Sequence, residues 1–309
     1  MSDNIKVSAS PHIRSRMSTS RIMFLVIISL LPATLYGIYQ FGYNAALIVA
    51  VCIASCVVFE YVYEKLMKLP VTIGDLSAIV TGLLLALNLP PTATWWMACI
   101  GCAFSIIIVK MLFGGLGQNF MNPALAGRCF LVICFTARMT NFVYDGISSA
   151  TPLANIRDGQ SVDLMAMFIG RIPGTIGEVS TAALLIGAIL LIVTGIIDFR
   201  IPCAYIGSFV VFMGLVSPGG WDITYLAAQI CGGGLILGAF FMATDYVTSP
   251  ITKTGRVLFG ICCGLLTGVF RVYSSSAEGV SYAIIISNLL VPLIEKITLP
   301  KCFGKGGEV

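Results

Sequence analysis

The chain has 309 residues, of which 58% are apolar and only 10% charged, with 32 glycines and a formal net charge of +4. A soluble globule of this length needs more polar surface than such a composition supplies, so the sequence reads as an integral membrane protein. The lipid bilayer is therefore the expected surrounding, and nothing in the charge pattern points to nucleic acid.

Residues 1–20 are polar, carry Lys6, Arg14 and Arg16, and lack a cleavable signal pattern, so a cytoplasmic amino-terminal tail is expected. Spanning about 30 Å of hydrocarbon takes roughly 20 apolar residues. Ten candidate spans follow, at approximately 21–40, 43–64, 76–89, 95–113, 122–137, 179–197, 201–216, 223–243, 255–272 and 279–297. The polar stretch 138–178 divides them, and 298–309 forms a second cytoplasmic tail. The predicted fold class is an all-α integral membrane protein of about ten transmembrane helices. One five-span set covers 21–137, and a second covers 179–297. Because five spans precede the dividing loop, the second set starts on the opposite side of the membrane, which makes the two an inverted repeat. Each has a Gly-led segment ending in a break: Gly82 to Leu89 before Pro90-Pro91, and Gly238 to Ala243 before Thr244-Asp245.

Charge placement supports this arrangement. With both termini inside, only Arg138, Arg157, Arg171 and Arg271 of the 18 lysines and arginines fall outside, Arg128 lies within a span, and the remainder are cytoplasmic. The loop 138–178 is then extracytoplasmic. Its arginines could face a phosphate group or pair with Asp145, Asp158, Asp163 and Glu178.

The third and fifth spans, with about 14 and about 16 residues, fall short of a full crossing and read as broken or half helices. Asp75 and Asn122 are placed to cap them, Asn122 being followed by Pro123 at the first helical position. Asp75 is also a candidate for an ion pathway, as is Asp245 in the second break; a solvated loop aspartate is the alternative for Asp245. Arg128, inside an apolar helix, could hold an anionic cofactor, a quinone-like group or an acidic neighbour, or could pin the half helix to backbone carbonyls.

Ten of the 11 cysteines fall within predicted spans and read as small packing residues. Cys99-x-x-Cys102 has no matching second pair, although a ligand shared with a partner's iron–sulfur cluster is conceivable. The single histidine, His12, is in the tail, which excludes two-histidine haem ligation. No metal site and no catalytic residue is assigned.

The run Asp145-Gly146-Ile147-Ser148-Ser149-Ala150-Thr151 stands apart from these apolar segments. Small residues surround the Thr151 hydroxyl, and Pro152 biases its backbone toward an extended form. The run resembles the motif Asp-x-x-Ser/Thr-small-Ala-Thr, whose last threonine carries FMN through a phosphoester. An ordinary Ser/Thr turn before a proline is the alternative.

Four segments together resemble the RnfD subunit of the Rnf complex over essentially the whole chain: Gly114 to Asn119, Asn122 to Arg128, Asp145 to Leu153, and Asp245 to Pro250. The likeness extends to the NqrB subunit of the sodium-pumping NADH:quinone oxidoreductase, which has longer terminal extensions. The resemblance implies a membrane flavoprotein subunit that relays electrons in an ion-translocating ferredoxin:NAD oxidoreductase and is not catalytic alone. It implies covalent FMN at Thr151, attached by a flavin transferase, with Asp145, Ser148, Ser149 and Ala150 as the attachment motif. A second, non-covalent flavin such as riboflavin and further membrane and peripheral subunits are also implied. Ser149 departs from the glycine common at that position. No nicotinamide fingerprint or ferredoxin-type cysteine cluster is present, so partners would bind the soluble substrates. The rival reading is a small-solute channel or transporter, since the inverted repeat also resembles the urea-channel architecture.

Overall fold

The computed structural model describes residues 17–144, 147–148, 151–157, 162–274 and 279–300. His12, Asp145, Ser149 and Ala150 lie outside these residues. The described chain is helical apart from a two-residue antiparallel ladder of β1 (Val143–Tyr144) with β2 (Ile147–Ser148).

In chain order the first helices are α1 (Thr19–Phe41), α2 (Tyr43–Leu66), α3 (Ser77–Leu87) and α4 (Trp95–Ala103), the last continued by a π-helical stretch, Phe104–Met111. α5 (Pro123–Cys134) and the single turn α6 (Thr136–Met139) follow. After the ladder come two short helices, α7 (Pro152–Arg157) and α8 (Leu164–Ile169). The second group comprises α9 (Thr181–Val193), α10 (Arg200–Val216), α11 (Ile223–Cys231), α12 (Leu235–Leu237) with a π-helical continuation to Met242, α13 (Lys253–Tyr273) and α14 (Val280–Thr298).

Four of these, α1, α2, α13 and α14, are long and apolar enough to cross a membrane. At about 1.5 Å per residue, the 23 residues of α1 reach about 35 Å. The pair α11 and α12, bent by 63° at the break between them, forms a fifth candidate. Shorter apolar helices, 77–87, 95–111, 123–134, 181–193 and 200–216, pack among them. Side chains such as Ile186, Val193 and Leu215 point outward and exposed, as a lipid-facing surface requires. The chain is a multi-pass membrane protein.

Close backbone approach holds the bundle together, because apolar burial gives little drive between helices already surrounded by lipid. Gly260, Gly264 and Gly268 form a stripe on α13 that lies directly on Ala204, Tyr205, Ser208 and Phe212 of α10. Tyr205 and Thr267 share a buried 2.7 Å hydroxyl hydrogen bond across the same seam. Gly82 does the equivalent on α3, where a Cβ would stand 2.8 Å from the Cys52 carbonyl of α2.

Part of the polar stretch between the two groups of helices is buried in the bundle. Residues 175–180 are buried, and the N–H groups of Ile176 and Gly177 donate to Leu89 O (3.0 Å) and Leu87 O (2.8 Å) beyond α3. This carries Glu178 into the interior.

Candidate functional site

Thr151 precedes α7 and caps it. Its Oγ1 accepts a long 3.4 Å hydrogen bond from Ala154 N, its carbonyl accepts from Asn155 N at 3.1 Å, and it is partly exposed. At the other end of α7, Arg157 donates to Ser274 O at 2.8 Å, just past α13. Asp145, Ser149 and Ala150 of the predicted attachment motif lie outside the described residues, and Ser148 is known only as part of β2. Beneath α7 a groove of about 940 Å³ opens, walled by Leu153 and Ile156 on one side and by Tyr225, Ala228 and Gln229 of α11 on the other.

The floor of this region is the break between α11 and α12. Gly233 and Gly234 turn the chain with φ of 61° and 67°, a left-handed conformation that side chains resist. Arg271 of α13 is buried at the break. It donates to Gln229 Oε1 at 3.0 Å, to Gly232 O at 2.8 Å and to Gln229 O, neutralising carbonyls where α11 ends. Glu178 sits on the far side, so close that a Cβ at Gly234 would fall on its carboxylate, 2.7 Å from Cδ. A cation thus faces the end of one half helix and an anion the start of the next. Arg271, grouped by the sequence with the outward arginines, is buried at the end of α11, whose last carbonyls it satisfies.

Arg128 has the acidic neighbour among its predicted partners. From α5 its Nη1 reaches Glu178 Oε1 at 3.3 Å, Asn88 Oδ1 at 3.1 Å and Ser281 Oγ at 2.8 Å. Glu178, grouped by the sequence with the loop arginines, therefore serves a buried guanidinium. Asp163, another of those expected partners, caps α8 through Met165 N at 2.9 Å.

At the opposite end of the bundle, Asp75 Oδ1 accepts from Ser77 N at 2.8 Å and from Ser77 Oγ at 2.6 Å, at the start of α3. Asn122 Oδ1 accepts from Ala124 N and Leu125 N at 3.0 and 3.4 Å, and its amide donates to Met242 O at 3.2 Å. Asn122 is the N-cap of α5, as expected, whereas Asp75 binds Ser77 from one residue ahead of Leu76, the N-cap of α3. Lys110, expected at a cytoplasmic flank, is instead only 2% exposed and paired with Glu60 at 2.6 Å, while also donating to Ser77 Oγ at 2.6 Å. A narrow cavity between the two groups of helices, with about 90 Å³ open to water-sized occupants, is lined by Ser77, Lys110, Asn119, Asn122, Thr244 and Asp245. Asp245 is partly buried there and accepts from Thr248 Oγ1 at 3.1 Å.

Sequence reasoning passed over Glu60, Glu64, Lys110, Glu178 and Asn88 as site residues. Glu60 and Lys110 carried a usable signal, since opposite charges inside two apolar spans imply a partner. Among the described residues no group of three or more histidine, cysteine or acidic side chains is placed to hold a metal. Cys102 donates to Cys52 O at 3.5 Å and Cys99 shares a 3.3 Å contact with Ser55 Oγ, which are packing roles.

A family profile described as the NQR2, RnfD, RnfE family matches residues 6–304. The chain belongs to that family. Among curated relatives it is 46% identical to the D-type subunit of the Na(+)-translocating ferredoxin:NAD(+) oxidoreductase complex of Acetobacterium woodii, covering 97% of this chain and 96% of the relative. It is 38% identical to the D-type subunit of the proton-translocating ferredoxin:NAD(+) oxidoreductase complex of Clostridium ljungdahlii, over 96% of each. The D-type subunit of an ion-translocating oxidoreductase complex of Erwinia tasmaniensis matches at 35% over 97% of this chain and 98% of its own length. Relatives in this family are thus named as subunits of ion-translocating oxidoreductase complexes.

Proposed function

We propose that this chain is an electron-relaying subunit of an ion-translocating ferredoxin:NAD oxidoreductase and carries FMN on Thr151 through a phosphoester. The observation that carries the reading is the setting of the Thr151 hydroxyl: partly exposed, ahead of a proline, and engaged at the head of α7 by a long 3.4 Å bond. Its oxygen, giving up the hydroxyl proton, would attack the flavin-side phosphorus of a flavin adenine dinucleotide donor, so that the Thr151–phosphate ester forms as the phosphoanhydride bond breaks and AMP leaves. The step is assigned to a separate flavin transferase because a threonine hydroxyl is a poor nucleophile unaided. When bound, the flavin accepts one or two electrons, and the protein sets its reach and potential.

The opposite end supports the ion-coupled half of the reading. The cavity that joins Asp245, Lys110 and Ser77 lies between the two groups of helices, where two arrangements could differ most in contacts. Asp245 and Asp75 are the proposed ion-pathway groups, and a second, non-covalent flavin such as riboflavin is proposed for the subunit. Lys65, Lys68, Arg200, Lys253 and Arg256 cluster toward that end in sequence flanks. This favours a cytoplasmic face there and an extracytoplasmic one at Thr151, with both termini inside. Nicotinamide and ferredoxin are assigned to partner subunits.

The test is the mass of the peptide containing Thr151, taken from protein co-expressed with its flavin transferase. An added FMN on the wild-type peptide, together with a fluorescent band on a denaturing gel that Thr151→Val abolishes, is the expected result. A wild-type peptide of unmodified mass would overturn the reading.

A further inference from the structure

The groove beneath α7 has a shape and lining that the tether alone does not require. Its lining mixes apolar groups, Leu153 and Ile156 of α7 and Ala228 of α11, with the polar Gln229, Arg271, Arg157 and Thr224. One ring completes it. Tyr225 lies flat against Gly219, where any Cβ would run into the ring, so glycine at this point is what lets the tyrosine recline into the wall. The two acids that line the groove, Asp163 and Asp222, are turned onto backbone N–H groups at the starts of their own helices. Asp163 accepts from Met165 N and Ala166 N, and Asp222 accepts from Thr224 N at 3.1 Å.

Resting on the tether reading above, we propose that this groove is the bed of the isoalloxazine ring carried by Thr151, with Tyr225 as its aromatic wall. A flat ring system with an apolar dimethylbenzene end and a polar pyrimidine end matches a slot lined by both apolar side chains and hydrogen-bonding groups. The volume of about 940 Å³ admits such a ring with room for water. The reach also fits. From Thr151 to Arg157, six residues of helical rise cover on the order of 9 Å. A five-carbon ribityl chain with its phosphate spans roughly the same distance at ordinary bond lengths. The apolar wall would exclude water from one face of the ring. A guanidinium, from Arg271 or Arg157, would favour negative charge on a pyrimidine placed beside it.

A tyrosine in contact with an excited flavin quenches it by electron transfer, which gives a readout independent of turnover. In the intact, partner-assembled complex, Tyr225→Leu is expected to raise the emission per Thr151-bound flavin at least twofold and to lengthen its fluorescence lifetime. Emission of the Thr151→Val complex is subtracted as background. Gly219→Ala, which pushes the ring aside without removing it, should move emission in the same direction by less. Tyr43→Leu, at an exposed tyrosine, should leave it unchanged. An unchanged lifetime in both groove variants, with the FMN mass still on the Thr151 peptide, would overturn the ring bed while sparing the tether. Loss of a partner subunit from the Tyr225→Leu complex at unchanged lifetime would assign the groove to that partner and overturn the proposal equally. Absence of the adduct from the wild type would remove both.

Discussion

Arg128 Nη1 stands 3.3 Å from Glu178 Oε1, and the two side chains, only 4% and 6% exposed, join a short helix of the first group to the segment that leads into the second. Neither charge could remain there alone. Removing one partner of a buried pair typically costs about 3–5 kcal/mol, whereas replacing both by apolar groups is often close to neutral. Arg128→Met should therefore destabilise the purified protein by about 3–5 kcal/mol. The double variant Arg128→Met, Glu178→Met should recover most of that loss. Thermal unfolding midpoints of the three proteins in one detergent decide the matter. A double variant as unstable as the single would show that the hydrogen bonds to Asn88 and Ser281, not the pair, are what count.

The long apolar stretches were legible because lipid imposes a simple rule on them: the intervals read as spans over 21–40, 43–64, 255–272 and 279–297 coincide closely with α1, α2, α13 and α14. The half helices were legible too, since the run beginning Asn122-Pro123 opens with a capping side chain and is too short to cross the bilayer. What escaped was the fate of charges near span boundaries. A linear reading places Lys110 and Arg271 by their distance from the nearest hydrophobic run, yet each side chain is directed inward by a partner remote in sequence. Glu60 and Gln229 lie 50 and 42 residues away from them. Glu178 was hidden for the same reason, its burial following from a strand-like pairing with Leu87 and Leu89 that no local pattern announces.

Asp198, in the link between α9 and α10, is held by Arg200 at 3.0 Å and Arg256 at 2.9 Å. Burial works against its charge, but the N–H of Arg200 and the Arg256 guanidinium outweigh that, and the carboxyl stays below its ordinary range. Its folded pKa being lower than its unfolded one, the stabilisation is present above the unfolded value of about 4 and is lost as pH falls through the folded value. Asp198→Asn should thus lower the unfolding midpoint at neutral pH by a small margin, worth under about 1 kcal/mol for a pair this open to solvent. The difference from wild type should vanish in acid. An equal gap at neutral and acid pH would contradict this.

Gly264 marks the tightest point of the α10–α13 seam. A side chain there would meet Ser208 Oγ, Tyr205 O and, at 2.9 Å, Phe209 N, two of which are backbone and cannot yield without parting the helices. Gly264→Leu is expected to lose about 3 kcal/mol or more, at the upper end of overpacking costs. It should also break the Tyr205–Thr267 hydrogen bond. Tyr205→Phe alone should cost about 1–2 kcal/mol, because Thr267 keeps its bond to Cys263 O at 2.8 Å. Comparable melting for Gly264→Leu and wild type would mean that the seam is loose.

Asn122 does two things with one side chain, and they can be separated. Its oxygen caps α5, whose sixth residue is Arg128, while its amide donates to Met242 O at the end of the second broken helix. Asn288 of α14, in the amide orientation that satisfies both its ends, accepts from Asn122 N at 3.2 Å and donates to Thr248 O at 3.1 Å, so the start of α5 and the segment after Met242 meet a full-length helix at this point. Serine retains the capping oxygen but cannot reach Met242, whereas alanine loses both roles. Asn122→Ser should cost about 1 kcal/mol, the value of one hydrogen bond. Asn122→Ala should cost about 2–3 kcal/mol, since a lost cap adds about 1 kcal/mol more and the orphaned amides are buried. If the geometry of α5 governs how Arg128 meets Glu178, alanine should also weaken the coupling between those two in a double-mutant cycle, and serine should not. Identical coupling in both backgrounds would show that the cap stabilises α5 without aiming its arginine.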